Sequence, residues 1–398
     1  MAGIFGLLLA SSGTGWSGGK CSGTTTASDV VKHLSPDMSG RSVFMTGGDS
    51  GIGLAAATAI AATNATLAIG SLSPSTTGAA AAAAITKATG NAKVNVYPLD
   101  LSSFASVRKC SAMFLTDLAV VGASLDVLVN DAGIDHCPAS LPPMTEDGYE
   151  RVFQVNYLGH WLLTSLMAPT LAKPSGSNAG RIINVASGAS GEACTWAGAP
   201  SDCEAIANLP PPVRDTSHNN SEGAPTSNYG LTKFLQIYHS AELAVLSPPP
   251  PYTLRSFSME PGFVDTPMTR QLSPATRKRW CSFQPHCPLT AEEGAATLAF
   301  MVLAPDAALP AADDGAYFAK CEKATPPSWD AASQKQLFAL SANWTTSASN
   351  LGRTCYGSNT TTCDDMEFCC PTAGGGVMCC SMSVSVGCAG AAAGGGCL

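Results

Sequence analysis

The sequence predicts an α/β protein with a doubly wound parallel sheet, and three observations carry that prediction. Between residues 41 and 320, short β-type runs alternate with helical stretches, the pattern of successive βαβ units. Several of the runs are almost continuously apolar, as strands covered on both faces must be. The first run passes directly into a glycine-rich segment and then a helical pattern, which sets a tight backbone turn at the carboxyl end of the first strand.

The elements follow in order. Ser42–Thr46 (SVFMT) is the first strand, and an Ala-rich helix covers Ile52–Ala62. Ala65–Ile69 is the second strand, followed by a helix over Gly78–Ala88; alanine is the best helix former, so this richness needs no functional reading. Lys93–Pro98 and Leu125–Asn130 are strands three and four, followed by helices over Ser103–Leu118 and Gly148–Ala168. Arg181–Val185 and Tyr252–Met259 complete the strands, with a helix over Asn228–Leu246 between them. Thr290-Ala291-Glu292-Glu293 is a capping-box arrangement that starts a helix ending near Leu303, and a last helix spans about Trp329–Asn343.

Two segments break the rhythm. Residues 188–227 form a loop-like insertion with Cys194, Cys203 and three consecutive prolines, and a connection of that length in a compact domain is functional or disordered. Cys194 and Cys203 either close a loop within it or stand as free thiols. Residues 266–290 carry Met268, Trp280 and Phe283 and are read as the substrate-side segment. The chain divides into an arm (1–40), a domain (41–350) and a tail (351–398). Residues Ile4–Ala10 form a short apolar run with no preceding Lys or Arg, and the arm reads either as an unstructured extension or as a faint transit-type segment.

Composition narrows the function. Of 398 residues 45% are apolar, enough for a substantial core, and only 13% are charged, with a net charge of −8. Nucleic acid is not an expected partner, because phosphate binding needs clustered Lys and Arg and the one cluster is Arg277-Lys278-Arg279. No uncharged apolar run reaches the roughly 18 residues of a membrane span. Eight of the 16 cysteines (Cys355, Cys363, Cys369, Cys370, Cys379, Cys380, Cys388 and Cys397) crowd into the tail. An even number in a short Gly-rich segment favours a disulfide framework over zinc, since the tail has no C-x-x-C step and no His. His136, His160 and His239 have no spaced metal partners and are read as surface or packing residues; no metal is expected.

Chemistry concentrates at the strand ends. Thr46-Gly47-Gly48-Asp49-Ser50-Gly51-Ile52-Gly53 stands between strand and helix, where glycines let the backbone approach a pyrophosphate and the helix offers free N–H groups. Tyr229 and Lys233 are four residues apart on a helical pattern, so they share a face. An ammonium beside a phenol stabilises the phenolate and makes Tyr a usable acid/base. Ser187 closes the fifth strand at the carboxyl edge of the sheet.

This order of motifs resembles the short-chain dehydrogenase/reductase family over about residues 41–345. Asp100-Leu101, Asn130-Asp131-Ala132-Gly133, Asn156 within VNYLGH, and Pro261-Gly262-Phe263-Val264-Asp265-Thr266 fall in the family's sequence alongside the motifs above. NYLGHWLLT, TAEEGAATLAFMVLAP and GAYFAKCEKATPPS look like the branch of retinol dehydrogenases, WW-domain oxidoreductase and plant chloroplast-envelope dehydrogenases. The arm segment GWSGGKCSGTTTASDVV is similar to plant members.

The resemblance implies a Rossmann-type sheet, here with a small Cys-rich C-terminal appendage, and hydride exchange between a nicotinamide cofactor and an alcohol, aldehyde or ketone, with an apolar substrate and a homodimer as further expectations. It implies that Tyr229 is the acid/base, that Lys233 lowers the Tyr229 pKa and holds the nicotinamide ribose, that Ser187 stabilises the substrate oxygen, and that Asn156 positions a water in a proton relay. Thr46, Gly47, Asp49, Ser50, Gly51, Ile52 and Gly53 would form the pyrophosphate turn. Asp100 and Leu101 would contact adenine, Asn130, Ala132 and Gly133 the ribose side, and Pro261, Gly262, Val264 and Thr266 the carboxamide side. Ser71 stands at the end of the second strand, where an Asp would select NAD and an Arg NADP; the absence of an acid there favours NADP(H) over NAD(H). Two departures from the family are Asp131, in place of a second Asn, and Ala186, in place of a Ser. A non-catalytic cofactor sensor, or a tail acting as a binding module or thiol switch, are the rival functions. The tail calls for oxidising surroundings and the branch for the plastid or a reducing face, so the expected location is a secretory-pathway lumen or the plastid.

Overall fold

The six apolar runs all become strands in a computed structural model, which describes residues 16–17, 20–174, 178–192, 228–246, 252–282, 286–327, 331–346, 353–354, 362–363, 367–371 and 377–381. They are β1 (Ser42–Thr46), β2 (Thr66–Ser71), β3 (Val94–Pro98), β4 (Val127–Asn130), β5 (Gly180–Val185) and β6 (Tyr252–Glu260). All run parallel, in the spatial order β3-β2-β1-β4-β5-β6. β7 (Tyr317–Ala319) adds in parallel to β6, and β8 (Glu322–Ala324) turns back antiparallel on β7. At three residues each, these two are too short to show a strand period in the sequence.

The order reverses at β1, because β2 and β3 lie on one side of it and β4 on the other. Thr46 of β1 is in register with Asn130 of β4, so the crevice between their carboxyl ends is the topological switch point, where ligands of such sheets bind.

Helices cover both faces. α1 (Ala27–Leu34), α2 (Gly51–Ala61) and α8 (Ala296–Leu303) pack on one, where Val43 and Met45 point; α4 (Phe104–Val120), α5 (Gly159–Leu171), α6 (Asn228–Val245) and α9 (Ala331–Thr346) pack on the other, against Phe44. α3 (Ala79–Thr89) follows β2, and α7 (Pro274–Cys281) lies after β6. The alternation along β1 with every residue buried explains its continuous apolarity. The helix expected over Gly148–Ala168 is instead a short turn at Arg151–Phe153, a π-turn at Gln154–Leu158 and then α5.

From Cys21 onward the arm belongs to the packed domain. Thr26 caps α1 reciprocally with Asp29, Ala27 and Val30 are fully buried, and Cys21 is disulfide-bonded to Cys321 between β7 and β8. Nothing in the spacing of these cysteines, 300 residues apart, could have paired them in advance. The tail backbone forms antiparallel pairs at Arg353–Thr354 with Thr362–Cys363 and at Glu367–Pro371 with Val377–Ser381. The expected disulfide framework of the tail, Phe283, and Cys194 with Cys203 lie outside the described residues or side chains. Among the described residues no helix is long and apolar enough to cross a membrane, and no cluster of three metal-ligating side chains occurs.

Candidate active site

The turn after β1 is shaped by contacts only glycine permits. At Gly47 φ is +70°, and a Cβ there would stand 2.9 Å from the Ala132 Cα; at Gly53 a Cβ would stand 2.2 Å from the Gly47 carbonyl oxygen. The turn is thereby pressed against the start of α2. Ser50 is the N-cap of α2 and makes no side-chain capping bond, so the first-turn N–H groups of this helix face the crevice without an intrahelical acceptor. Thr266 closes the other side, its methyl carbon 3.3 Å from where a Cβ of Gly51 would lie. Glycine sterics, a bare helix start and an adjoining Thr266 fit a dinucleotide's pyrophosphate.

Beside this turn the residues expected to handle the proton converge. Ser187 lies close enough to the Tyr229 hydroxyl to act on its ionisation, and the Lys233 Nζ lies 5.7 Å from the Tyr229 ring centre. Lys233 Nζ donates to the Val185 carbonyl oxygen (2.7 Å) at the end of β5. Asn156 Oδ1 and Lys233 Nζ both border Gly133, 3.2 and 3.5 Å from the position of a Cβ. The π-turn brings Asn156 here. Its side chain is anchored to Ile134, donating through Nδ2 to the Ile134 carbonyl (2.9 Å) and accepting from the Ile134 N–H at Oδ1 (2.8 Å), while Nδ2 also donates to Thr232 Oγ1 (3.1 Å).

His160 was expected to be a bland packing residue, and it is fully buried, yet it ties the two motifs together. Its Nδ1 is 3.0 Å from the Asn156 carbonyl oxygen and its Nε2 2.9 Å from Thr46 Oγ1. A carbonyl can only accept, so Nδ1 carries the proton and Nε2 accepts from Thr46. Burial pushes the ring's pKa down to about 3, which keeps it neutral. Gln236 Nε2 donates to the same Asn156 carbonyl (2.5 Å), so both of its lone pairs are used. Gln236 and Thr232 share the helix of Tyr229 and Lys233, and no sequence signal separates them from ordinary helix residues.

The electrostatics differ from expectation at Tyr229. Its phenol is not held down: burial pushes it up to about 12, with nearby Ser187 opposing the rise and Asp135 and Asp131 adding to it. The proximity of Lys233 does not outweigh desolvation. Burial also drives Lys233 down, opposed by Asp131, and raises Asp131, opposed by Lys233. Asp131, the departure from the family pattern, therefore puts a half-buried acid within interaction range of Lys233. Its Oδ2 lies 2.5 Å from the Cβ position at Gly53.

Several expected nucleotide contacts spend their side chains within the protein. Thr46 Oγ1 accepts from the Asp131 and Ala132 N–H groups (3.0 Å each). Asn130 Nδ2 donates to Thr164 and Asn184 (2.9 and 2.8 Å), knitting β4 to β5 and α5. Asp100 accepts from the N–H and hydroxyl of Ser102 (2.8 and 2.7 Å), and Leu101 is buried against Gly159. These side chains hold the crevice together, while Asn130 Oδ1 is buried without a hydrogen-bond partner among the described residues. Val264 is buried and bridges to Leu289, and Gly262 follows Pro261 with φ +80°. The premise of an acid-free end to β2 also fails: Ser71 Oγ donates to Asp49 Oδ2 (2.6 Å), which removes the ground for preferring NADP(H).

The 266–290 segment contains the short helix Pro267–Arg270 and then α7. Met268 and Trp280 are half-buried there. A disulfide joins Cys281 to Cys287.

Comparison with known proteins agrees with this architecture. The short chain dehydrogenase family model matches residues 41–199. The chain is 30% identical over 330 residues to the short-chain dehydrogenase TIC 32 A, chloroplastic, of Brassica napus, covering 81% of this chain and 92% of that one. It is 30% identical to the polyprenol dehydrogenase of Mus musculus, over 70% of this chain and 76% of the relative. A 150-residue stretch is 39% identical to human retinol dehydrogenase 13, covering 37% and 41% of the two chains. Among solved structures, the Pseudomonas aeruginosa RhlG/NADP complex superposes with a TM-score of 0.51 at 23% identity, over 71% of this chain and 95% of that one, a likeness of fold alone. The chain belongs to the short-chain dehydrogenase family and is an NAD(P)-dependent oxidoreductase acting on CH–OH groups.

Proposed function

We propose that the protein interconverts an apolar alcohol and its aldehyde or ketone, with Tyr229 as the proton-transferring group. The observation that carries this reading is the placing of Lys233 beside the Tyr229 ring, with its Nζ on the Val185 carbonyl at the end of β5 and next to Asn156 at Gly133, beside the glycine turn. When bound along the turn, the nicotinamide dinucleotide supplies or accepts the hydride. The chain's own residues manage the proton. Ser187 holds the substrate oxygen by a hydrogen bond that strengthens as charge grows on it. Tyr229 gives its phenolic proton to that oxygen in reduction and takes it back in oxidation. The high phenol pKa suits the donor role, and Lys233 stabilises the phenolate once the proton has left. Asn156 Oδ1 accepts one N–H from Ile134, which leaves a lone pair for a water held between it and Lys233; its carbonyl is committed to His160 and Gln236.

An apolar substrate is supported by relatives named for polyprenol and retinol and by half-buried Met268 and Trp280 on the substrate segment. The two described disulfides favour an oxidising compartment, and the relative named chloroplastic favours the plastid; a lumenal space satisfies both. A homodimer completes the reading and is checked by sedimentation. Turnover of long-chain aldehydes, followed by nucleotide absorbance, tests the activity. Faster turnover of short polar aldehydes than of long apolar ones would overturn the substrate class.

A further inference from the structure

The adenosine end of the crevice holds a carboxylate that the strand itself does not carry. Asp49, from the glycine turn, reaches the last residue of β2: Asp49 Oδ2 accepts from Ser71 Oγ (2.6 Å) and from Thr77 Oγ1 (3.2 Å). Ser71 is buried at 1% exposure and Asp49 is half-buried, so the pair is set into the corner between β2 and the turn Pro74–Gly78. Both hydroxyls donate to the same oxygen. Among the described residues no donor reaches Oδ1.

The segments that form the corner carry no cation of their own. Between Arg41 and Lys87 the sequence has no Lys or Arg, and this stretch contains β1, the glycine turn, β2 and the Pro74–Gly78 turn. The end of the second strand is where the adenosine ribose of a dinucleotide is discriminated. A 2′-hydroxyl can donate to the open oxygen of Asp49. A 2′-phosphate there would set like charges within a few ångströms, with no Lys or Arg on β1, the glycine turn, β2 or the Pro74–Gly78 turn to offset them.

We propose that Asp49, held in place by Ser71 and Thr77, is the residue that selects NAD(H) over NADP(H). The inference rests on the dinucleotide reading of the crevice. It transfers the selecting acid from the strand end, where sequence inspection looks for it, to the glycine turn.

Direct binding tests it without turnover. Dissociation constants for NADH and NADPH are measured by nucleotide fluorescence on the full-length wild type, on Asp49→Asn and on Thr77→Lys, with circular dichroism to check folding. Wild type is expected to bind NADH at least about tenfold more tightly than NADPH. Asp49→Asn is expected to narrow that ratio about tenfold, chiefly by strengthening NADPH. Thr77→Lys places a cation at an exposed position beside the carboxylate and should move the ratio in the same direction, more so at low salt. NADPH binding as tight as NADH in wild type, or a ratio unmoved in both variants, would overturn the proposal while leaving the dehydrogenase reading intact. Failure of wild type to bind either nucleotide would overturn both.

Discussion

The two sides of the crevice are built by different means. On the nucleotide side, from β1 to Gly133, the shape is set by the backbone: Gly47 and Gly53 leave no room for a Cβ, and Thr46 clamps the Asp131 and Ala132 N–H groups. On the side proposed to hold the substrate, after Ser187, it is set by side chains on α6, by the short helices of 266–290 and by the Cys281–Cys287 link. A backbone-built site tolerates one ligand class and few substitutions. A site assembled from side chains on connections can change its substrate while the sheet stays the same. The contrast explains why the cofactor class is readable here and the substrate is readable only as a class.

The comparison can be broken from either side. The largest effect is expected at Gly53→Ala, whose methyl would stand 2.2 Å from the Gly47 carbonyl oxygen and 2.5 Å from Asp131 Oδ2. Saturable NADH binding should be lost, with a destabilisation of about 1–3 kcal/mol, seen together in a fluorescence titration and a thermal melt. Retained binding would show that the turn is not sterically set. Next, Cys21→Ser should lower unfolding free energy by about 2–5 kcal/mol in urea titration while leaving NADH affinity unchanged, since Cys21–Cys321 lies at the sheet edge away from the turn. A large loss of affinity would mean that the arm shapes the site.

Acid sensitivity comes third. Burial pushes His160 and His239 down to about 3 from the ordinary 6.5. The unfolded chain therefore takes up protons that the folded one refuses, and these two residues make stability fall as the pH drops from about 6.5 toward 3. His239→Phe should flatten that decline over this window, and an unchanged slope would remove His239 from the account. The smallest effect is expected at the paired Cys281→Ser/Cys287→Ser variant: a shift in KM for long aldehydes with NADH affinity unchanged. A shift in NADH affinity instead would erase the division between the two sides.

How much of this was legible in the sequence also divides along the same line. The six parallel strands and the glycine turn were visible because buried strands are apolar throughout and glycines mark where a Cβ cannot fit. Tyr229, Lys233 and Ser187 were legible through the order of motifs, and the structure brings them together. The π-turn at Asn156 was not, since its residues read as uninterrupted helix. His160 as a tie between Thr46 and Asn156, and Asp49 reaching Ser71 from another segment, depend on distances across the fold that no local pattern encodes. The raised phenol of Tyr229 was missed because its neighbour Lys233 is visible in sequence whereas desolvation is not.

In the proposed reaction Tyr229 moves the proton of a nucleotide-dependent carbonyl conversion. The most direct test compares wild type and Tyr229→Phe in two measurements on the same preparations, nucleotide dissociation constants and turnover of a long-chain aldehyde. Similar nucleotide binding by both is expected, with a loss of turnover in the variant of about 10²–10⁴-fold. Equal turnover by wild type and variant, with binding intact, would contradict it.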